Sequence, residues 1–204
     1  MPTLLLIRHG DNDYLRKDKL PGQIPGIHLN AHGREQAMEM AQSLSQLPIT
    51  AIYSSPLERA IETAEPLAQS LGLGIQLKSD LADPDVGAWE GRSWKSLVHT
   101  KLWKVIQEKP SQFQFPGGET FIQVQERVTR TLDAIANAHN GEFIAVFFHA
   151  DPIKLSVSHY LGIALDNFQR LTISASSVTI LRLDSPAVKL LALNLIPPFS
   201  LPKM

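Results

Sequence analysis

Apolar runs of strand length alternate along this chain with stretches whose apolar residues recur at helical spacing. Leu4, Leu5, Leu6 and Ile7 form the first run, which ends in Arg8-His9-Gly10. Such a succession of aliphatic residues predicts a buried strand over 4–8. A polar loop bearing Pro and Gly follows, from Asp11 to about Leu29. Asn30 is placed to cap a helix over roughly 33–46, with Ala37, Met40, Ala41 and Leu44 on one face. Residues 51–53 make a short second strand. Ser55 is expected to cap the next helix, with Pro56 at its first position and Gly72 as its stop. Residues 74–77 are a third strand candidate, and 80–92 an irregular acidic loop. Helical spacing returns over 93–108, through Leu97, Leu102, Trp103 and Ile106. A loop rich in Pro, Gly and Phe spans 110–118. Residues 119–139 predict a long amphipathic helix through Phe121, Val124, Val128, Leu132 and Ile135. The strongest buried strand is 143–148, with His149 at its carboxyl end, and Asp151-Pro152 open a helix to about Leu161. Residues 178–183 and 188–193 predict a late hairpin, and the tail from Pro197-Pro198 onward is expected to be loosely ordered. This alternation predicts an α/β fold with a mostly parallel sheet between helices.

Composition narrows the function classes. The chain has 204 residues, 44% hydrophobic and 19% charged, which suits one domain with a sizeable core. Nineteen Lys and Arg stand against 20 Asp and Glu, a formal charge of −1. That balance argues against a nucleic-acid or membrane-surface partner, so any basic feature must be local to a pocket. The absence of cysteine excludes disulfides, thiol catalysis and cysteine-ligated metals. It fits a reducing, cytoplasmic setting. The amino terminus lacks a basic segment and a long apolar core, so no signal peptide is expected, and no apolar stretch approaches a membrane span.

Two predicted strands end in histidine, at His9 and His149. In a parallel sheet both imidazoles stand on one edge, the edge where open α/β sheets hold ligands. Arg59 lies in the first turn of the helix after the second strand and can point to the same edge. Arg8 and Arg59 can hold phosphate oxygens in a bidentate way, and a helix start favours anions.

The motifs LIRHG at 6–10, LNAHGREQA at 29–37, SSPLERAIETA at 54–64, LADPDVGAWEG at 81–91, FPGGET at 115–120 and FFHAD at 147–151 occur in this order. Together they resemble the histidine phosphatase superfamily, the phosphoglycerate-mutase-like fold, over roughly residues 3–183. The resemblance implies a three-layer α/β/α sandwich forming one catalytic domain over 1–204, with an insertion at about 80–118 shaping the pocket mouth. It implies that His9 is the nucleophile that becomes phosphohistidine. Arg8, Asn12, Arg59, His149 and Ala150 fall where phosphoryl oxygens are bound, and Asp83 where the family places its acid/base carboxylate. The usual acid there is Glu, one methylene longer, so Asp85 and Asp151 are rival donors. No metal or cofactor is implied.

Other residues have plainer readings. His28 and His32 are spaced i, i+4 but fall before the helix, as solvated or rim histidines. His99, His139 and His159 lack clustered partners in sequence and are read as structural. Trp89, Trp94 and Trp103 are core or pocket wall, and Glu90 supports its loop. The Phe113, Phe115, Gly117, Gly118 segment either lines the mouth or packs as a loop. Arg16, Lys17 and Lys19 could greet a second anionic group, or form a solvated cluster.

The short span from Gly87 to His149 favours a phosphatase over a mutase, because little lid is available to exclude water. The segments around residues 20–33 and 102–119 also resemble a bacterial subgroup labelled as phosphomutases. The sequence therefore predicts a metal-independent phosphomonoesterase acting on a small phosphorylated metabolite. The alternatives are a phosphoglycerate-type phosphomutase and a catalytically weak phospho-ligand binding protein. A homodimer is compatible with the sequence.

Overall fold

The structure is a computed structural model that describes residues 1–184 and 187–199. In chain order its elements are β1 (Thr3–Arg8), α1 (Asp13–Arg16), α2 (Ala31–Leu44), β2 (Ile49–Ser54), α3 (Glu58–Leu71), β3 (Ile75–Leu77), α4 (Trp94–Leu97), α5 (Lys101–Glu108), α6 (Phe121–Ala138), β4 (Phe143–Phe148), α7 (Ala150–Tyr160), β5 (Val178–Asp184) and β6 (Ala187–Leu195). Short 3₁₀ turns occupy Ser79–Leu81, Gly87–Trp89, Pro110–Gln112 and Leu165–Arg170.

The six strands form one sheet in the order β3-β2-β4-β1-β5-β6. β1, β2, β3 and β4 run parallel, while β5 is antiparallel to both β1 and β6. The apolar runs explain the layering. On β1, Leu4 and Leu6 join one core cluster and Leu5 and Ile7 the other, and all four are fully buried. A strand covered on both faces needs no polar alternation. The Leu5 side is covered by α2 and α3 through Met40, Leu44, Ala64 and Leu67. The Leu4 side is covered by α6 and α7 through Val124, Val128, Leu132, Ile153 and Val157. The result is the expected α/β/α sandwich with a mostly parallel sheet.

Local chemistry sets several boundaries differently from the hydropathy pattern. Asn30 does cap α2, its side chain accepting the Gly33 N–H at 2.8 Å. Ser55 does not cap α3; the N-cap position is Leu57, without a side-chain bond, and the Ser55 hydroxyl is used elsewhere. The predicted helix over 93–108 is two helices, because Thr100 turns the chain and caps α5 through the Trp103 N–H at 3.3 Å. Within the expected loop after Gly10, Asn12 caps the single turn of α1. α6 starts in a reciprocal capping box between Thr120 and Gln123. The late hairpin forms as β5 and β6; its turn at 185–186 and the tail residues 200–204 lie outside the described residues. No helix among the described residues is long and apolar enough to cross a membrane.

Candidate active site

Parallel pairing of β1 with β4 puts Arg8 opposite Phe148, so His9 and His149 are the next residues on adjacent strands. Their ring centroids are 5.2 Å apart with planes at 59°. The His9 N–H donates to the Phe148 carbonyl at 3.0 Å, and the Ser176 N–H donates to the His9 carbonyl at 3.1 Å. Both histidines are buried. The His9 Nδ1–H donates to the Gly10 carbonyl at 2.8 Å, which leaves Nε2 as the lone-pair nitrogen. Ser55 Oγ accepts the Leu57 N–H and lies 2.9 Å from His149 Nε2. His149 Nε2 is the acceptor within reach of the buried Ser55 hydroxyl proton, and satisfying that proton assigns the ring proton to Nδ1. Burial, and after it the charge of Arg59, holds both imidazoles well below the usual 6.5, so both are neutral at pH 7.

Arg59 enters from the first turn of α3 and is fully buried. Its Nη2 donates to the Gly22 carbonyl at 2.8 Å and to Asp83 Oδ2 at 3.0 Å. Arg8 Nη1 donates to the Ile173 carbonyl at 2.7 Å. Burial lowers the Arg8 guanidinium from its ordinary value, and Asp83, Asp151 and Asp11 oppose that shift. Asn12 spends its side-chain oxygen on the Leu15 N–H at 3.0 Å. What these groups leave over is informative. Arg8 Nε, Arg59 Nε and Nη1, Asn12 Nδ2 and His149 Nδ1 are buried nitrogens without a partner. Buried polar atoms are rarely left so, and a set made only of N–H donors suits an anion.

Asp83 stands beside these donors, with Oδ2 3.7 Å from His149 Nδ1 and 3.0 Å from Arg59 Nη2. Burial pushes its carboxyl up to about 6; Arg59 pulls the other way and the Asp151 charge adds to the rise. Its loop is held by residues the sequence analysis did not single out. Arg127 donates to the carbonyls of Asp80, Ala82 and Asp83 at 2.7, 2.9 and 3.2 Å. The same guanidinium grips both oxygens of Glu119 at 2.8 and 2.9 Å. Gln23 Nε2 donates to the Asp83 carbonyl at 2.8 Å. The loops at 83–91 and 115–120 close on each other through Ala88 N–H to Pro116 O at 2.8 Å and Glu119 N–H to Asp85 O at 2.9 Å. Only glycine fits at this crossing: a Cβ on Gly87 would strike the Pro116 carbonyl, and one on Gly118 the Asp85 carbonyl. Gly87 also has φ +50.

The rival acids occupy other places. Asp85 Oδ1 accepts the Gly87 N–H at 2.9 Å and does not line the cavity. Asp151 does line it, at the start of α7, ion-paired to Lys154 at 3.2 Å. Of the three, Asp83 alone contacts Arg59 and His149.

These groups border a cavity of about 360 Å³. Arg8, His9, Asp83 and Ala150 line it, while Arg59 and His149 lie behind, in contact with Asp83 and His9. Asp83, Pro84, Val86, Trp94, Ile106 and Phe115 bring the segment expected at the mouth onto its wall. Phe113 does not reach it; it packs in the core against Trp89, Phe115 and Phe121 at 5.5, 4.9 and 5.7 Å. Lys19 lines the cavity, whereas Lys17 is exposed and exposed Arg16 pairs with Asp11 at 3.7 Å. Glu90 accepts the Gln23 N–H at 3.1 Å. His28 pairs with Glu62 and His32 with Glu35, so the two serve separate carboxylates. His139 is not partnerless: it bonds the Tyr53 hydroxyl and Glu142, each at 2.9 Å.

Comparison with known proteins places this geometry. Phosphoserine phosphatase 1 of Hydrogenobacter thermophilus is 26% identical over 197 residues, 96% of this chain and 93% of that protein. Phosphoglycerate mutase-like protein 4 of Arabidopsis thaliana is 31% identical over 156 residues, 74% of this chain and 67% of that protein. The fold matches the crystal structure of phosphoserine phosphatase from Entamoeba histolytica with a TM-score of 0.88 and 23% identity, covering 97% of this chain and 98% of that one. Residues 4–196 match the profile of the histidine phosphatase superfamily (branch 1). With paired strand-end histidines and that match over nearly its whole length, the chain belongs to the histidine phosphatase superfamily, branch 1.

Proposed function

We propose that this protein hydrolyses phosphomonoesters through a phosphohistidine formed on His9, within one catalytic unit built on the single sheet. The observation that carries the proposal is the His9 ring: Nδ1 is committed to the Gly10 carbonyl, and Nε2 is left free on the wall of a cavity. A neutral imidazole oriented in this way is a competent nucleophile.

In the first step Nε2 attacks phosphorus, the N–P bond forms and the bond to the ester oxygen breaks. The partnerless N–H groups of Arg8, Arg59, Asn12 and His149 take the charge on the equatorial oxygens, with Ala150 on the wall beside them. Asp83, protonated below about pH 6, gives its proton to the departing oxygen. A bound phosphate dianion raises that carboxyl further, because like charges disfavour ionisation. In the second step the Asp83 carboxylate takes a proton from water as its oxygen attacks phosphorus. The N–P bond breaks, phosphate leaves, and both His9 and Asp83 return to their starting forms.

A phosphatase suits the site better than a mutase, since a cavity open to water delivers the second nucleophile. The 26% identical phosphoserine phosphatase supports the same choice, although the mutase-like Arabidopsis relative keeps the other activity in the family's range. The test is release of inorganic phosphate from p-nitrophenyl phosphate in the presence of EDTA. Enzyme quenched in alkaline detergent is examined in parallel for an acid-labile, alkali-stable phosphoryl group. Wild type is expected to show both and a folded His9→Ala variant neither. Turnover by His9→Ala at the wild-type rate would overturn the proposal.

A further inference from the structure

The cavity is larger and more apolar than a phosphoryl group requires. Beyond Arg8, His9 and Asp83 its wall is made chiefly by Leu15, Leu20, Trp94, Ile106, Phe115 and Leu171. Ile106 and Phe115 are 3% and 2% exposed, so they form a fixed floor, while Trp94 is half-buried and braced edge-on by Trp103 at 5.5 Å. Away from the histidines the charges on this wall are few. Lys154 is held by Asp151 at 3.2 Å, and the Lys19 ammonium sits 5.9 Å from the Tyr14 ring centroid. Gln169 and Thr172 are the remaining polar side chains on the lining.

A substrate carrying several hydroxyls would press most of them against Leu and Trp side chains and leave them without partners. A three-carbon ester would leave most of the apolar wall uncovered. A cavity of about 360 Å³ whose polar groups are outnumbered by apolar side chains is of the kind that encloses a larger organic ligand. Resting on the phosphoesterase reading above, we infer that the organic part of the substrate is apolar and at least ring-sized, and that Trp94 and Ile106, presented by α4 and α5, set this preference.

The test is a series of primary alkyl phosphates with matched leaving groups: ethyl, butyl, hexyl and 2-phenylethyl phosphate, with phosphoserine and glycerol phosphate as the compact polar members. Matching the leaving groups keeps the chemical step constant, so kcat/KM reports the pocket. It is expected to rise at least about tenfold from ethyl to 2-phenylethyl phosphate, since hydrophobic pockets discriminate about tenfold or more per methylene. Phosphoserine and glycerol phosphate are expected to fall at or below ethyl phosphate. Trp94→Ala and Ile106→Thr are each expected to shrink the 2-phenylethyl to ethyl ratio several-fold. That ratio is measured within one preparation and does not depend on the fraction of enzyme folded. A flat or falling series, a preference for phosphoserine, or an unchanged ratio in both variants would overturn the inference while leaving the phosphatase intact. Failure to release phosphate from every ester, p-nitrophenyl phosphate included, would instead overturn the phosphoesterase reading and this inference with it.

Discussion

Asp83→Asn is expected to stabilise the protein above pH 6 while impairing turnover. The carboxyl titrates at about 6 in the folded chain against 3.8 ordinarily, because burial outweighs the Arg59 guanidinium 3.0 Å away. The folded state therefore keeps a proton between pH 3.8 and about 6 that the unfolded chain has already lost. Stability falls as pH rises through that window, and the whole penalty is present above it. The gap corresponds to about 3 kcal/mol at pH 8. Asparagine has the same shape, carries no charge to desolvate, and still offers Arg59 a carbonyl oxygen. The variant should match wild type near pH 4 and exceed it by about 3 kcal/mol at pH 8. For a chain of this length that is a rise in Tm of about 6–12 °C. Urea unfolding at pH 4, 6 and 8, with m checked for constancy, measures the difference. Equal or lower stability of Asp83→Asn at pH 8 would refute the reasoning. It would mean that the ion pair with Arg59 dominates, and Asp83 would lose its claim to hold a proton for the leaving group.

Kinetics should follow the same group. In wild type, kcat/KM for an alkyl phosphate is expected to fall as pH rises past about 6, the pH at which free-enzyme Asp83 ionises. The fall should be much weaker for p-nitrophenyl phosphate, whose leaving group needs no proton; identical profiles for the two esters would argue against Asp83 as acid. Arg127→Ala removes the donor to the Asp80, Ala82 and Asp83 carbonyls and should slow alkyl esters about 10- to 100-fold, with a smaller effect on the aryl ester. Equal slowing of both would assign Arg127 a merely structural role. Ser55→Ala leaves His149 Nε2 without its buried partner and should cost about 1–3 kcal/mol, read by urea unfolding. Gly118→Ala drives a Cβ into the Asp85 carbonyl and should lower Tm by several degrees, with little change if the 115–120 loop can shift aside.

The frame of the site was legible because its residues sit next to strong signals. His9 and His149 follow directly on apolar runs, and Asn30 precedes a clean helical stripe, so sequence order alone located them. Where side chains have competing uses, the sequence was mute. Ser55 has the position of a helix cap, yet its hydroxyl is spent on a histidine 94 residues away. Arg127 occupies a polar position of α6 between Val124 and Val128 and looks like part of a solvent face. Only the approach of the 80–83 loop makes it a clamp; its spacing from Glu119, eight residues earlier, was the available hint. The choice among three aspartates could not be made from spacing, because Asp83 and Asp85 differ by which one the Gly87 turn consumes. The split between α4 and α5 was hidden because Thr100 interrupts a continuous apolar rhythm with a cap.

The position of β4 between β1 and β2 has a consequence for synthesis and unfolding. His9, the proposed nucleophile, follows a strand whose ladder neighbours arrive only with residues 143–148 and 178–184. A nascent chain that ends before β4 gives His9 no second imidazole and no Phe148 carbonyl to receive its N–H, and one that ends before residue 173 still lacks the Ser176 N–H and the Ile173 carbonyl. Catalytic competence should therefore appear late in translation, once β4 and then β5 have closed on the two sides of β1. The same insertion ties the site to the most protected part of the molecule. The His9 amide should exchange with solvent only on global opening, so local loosening of the outer strands would leave the histidine pair in place.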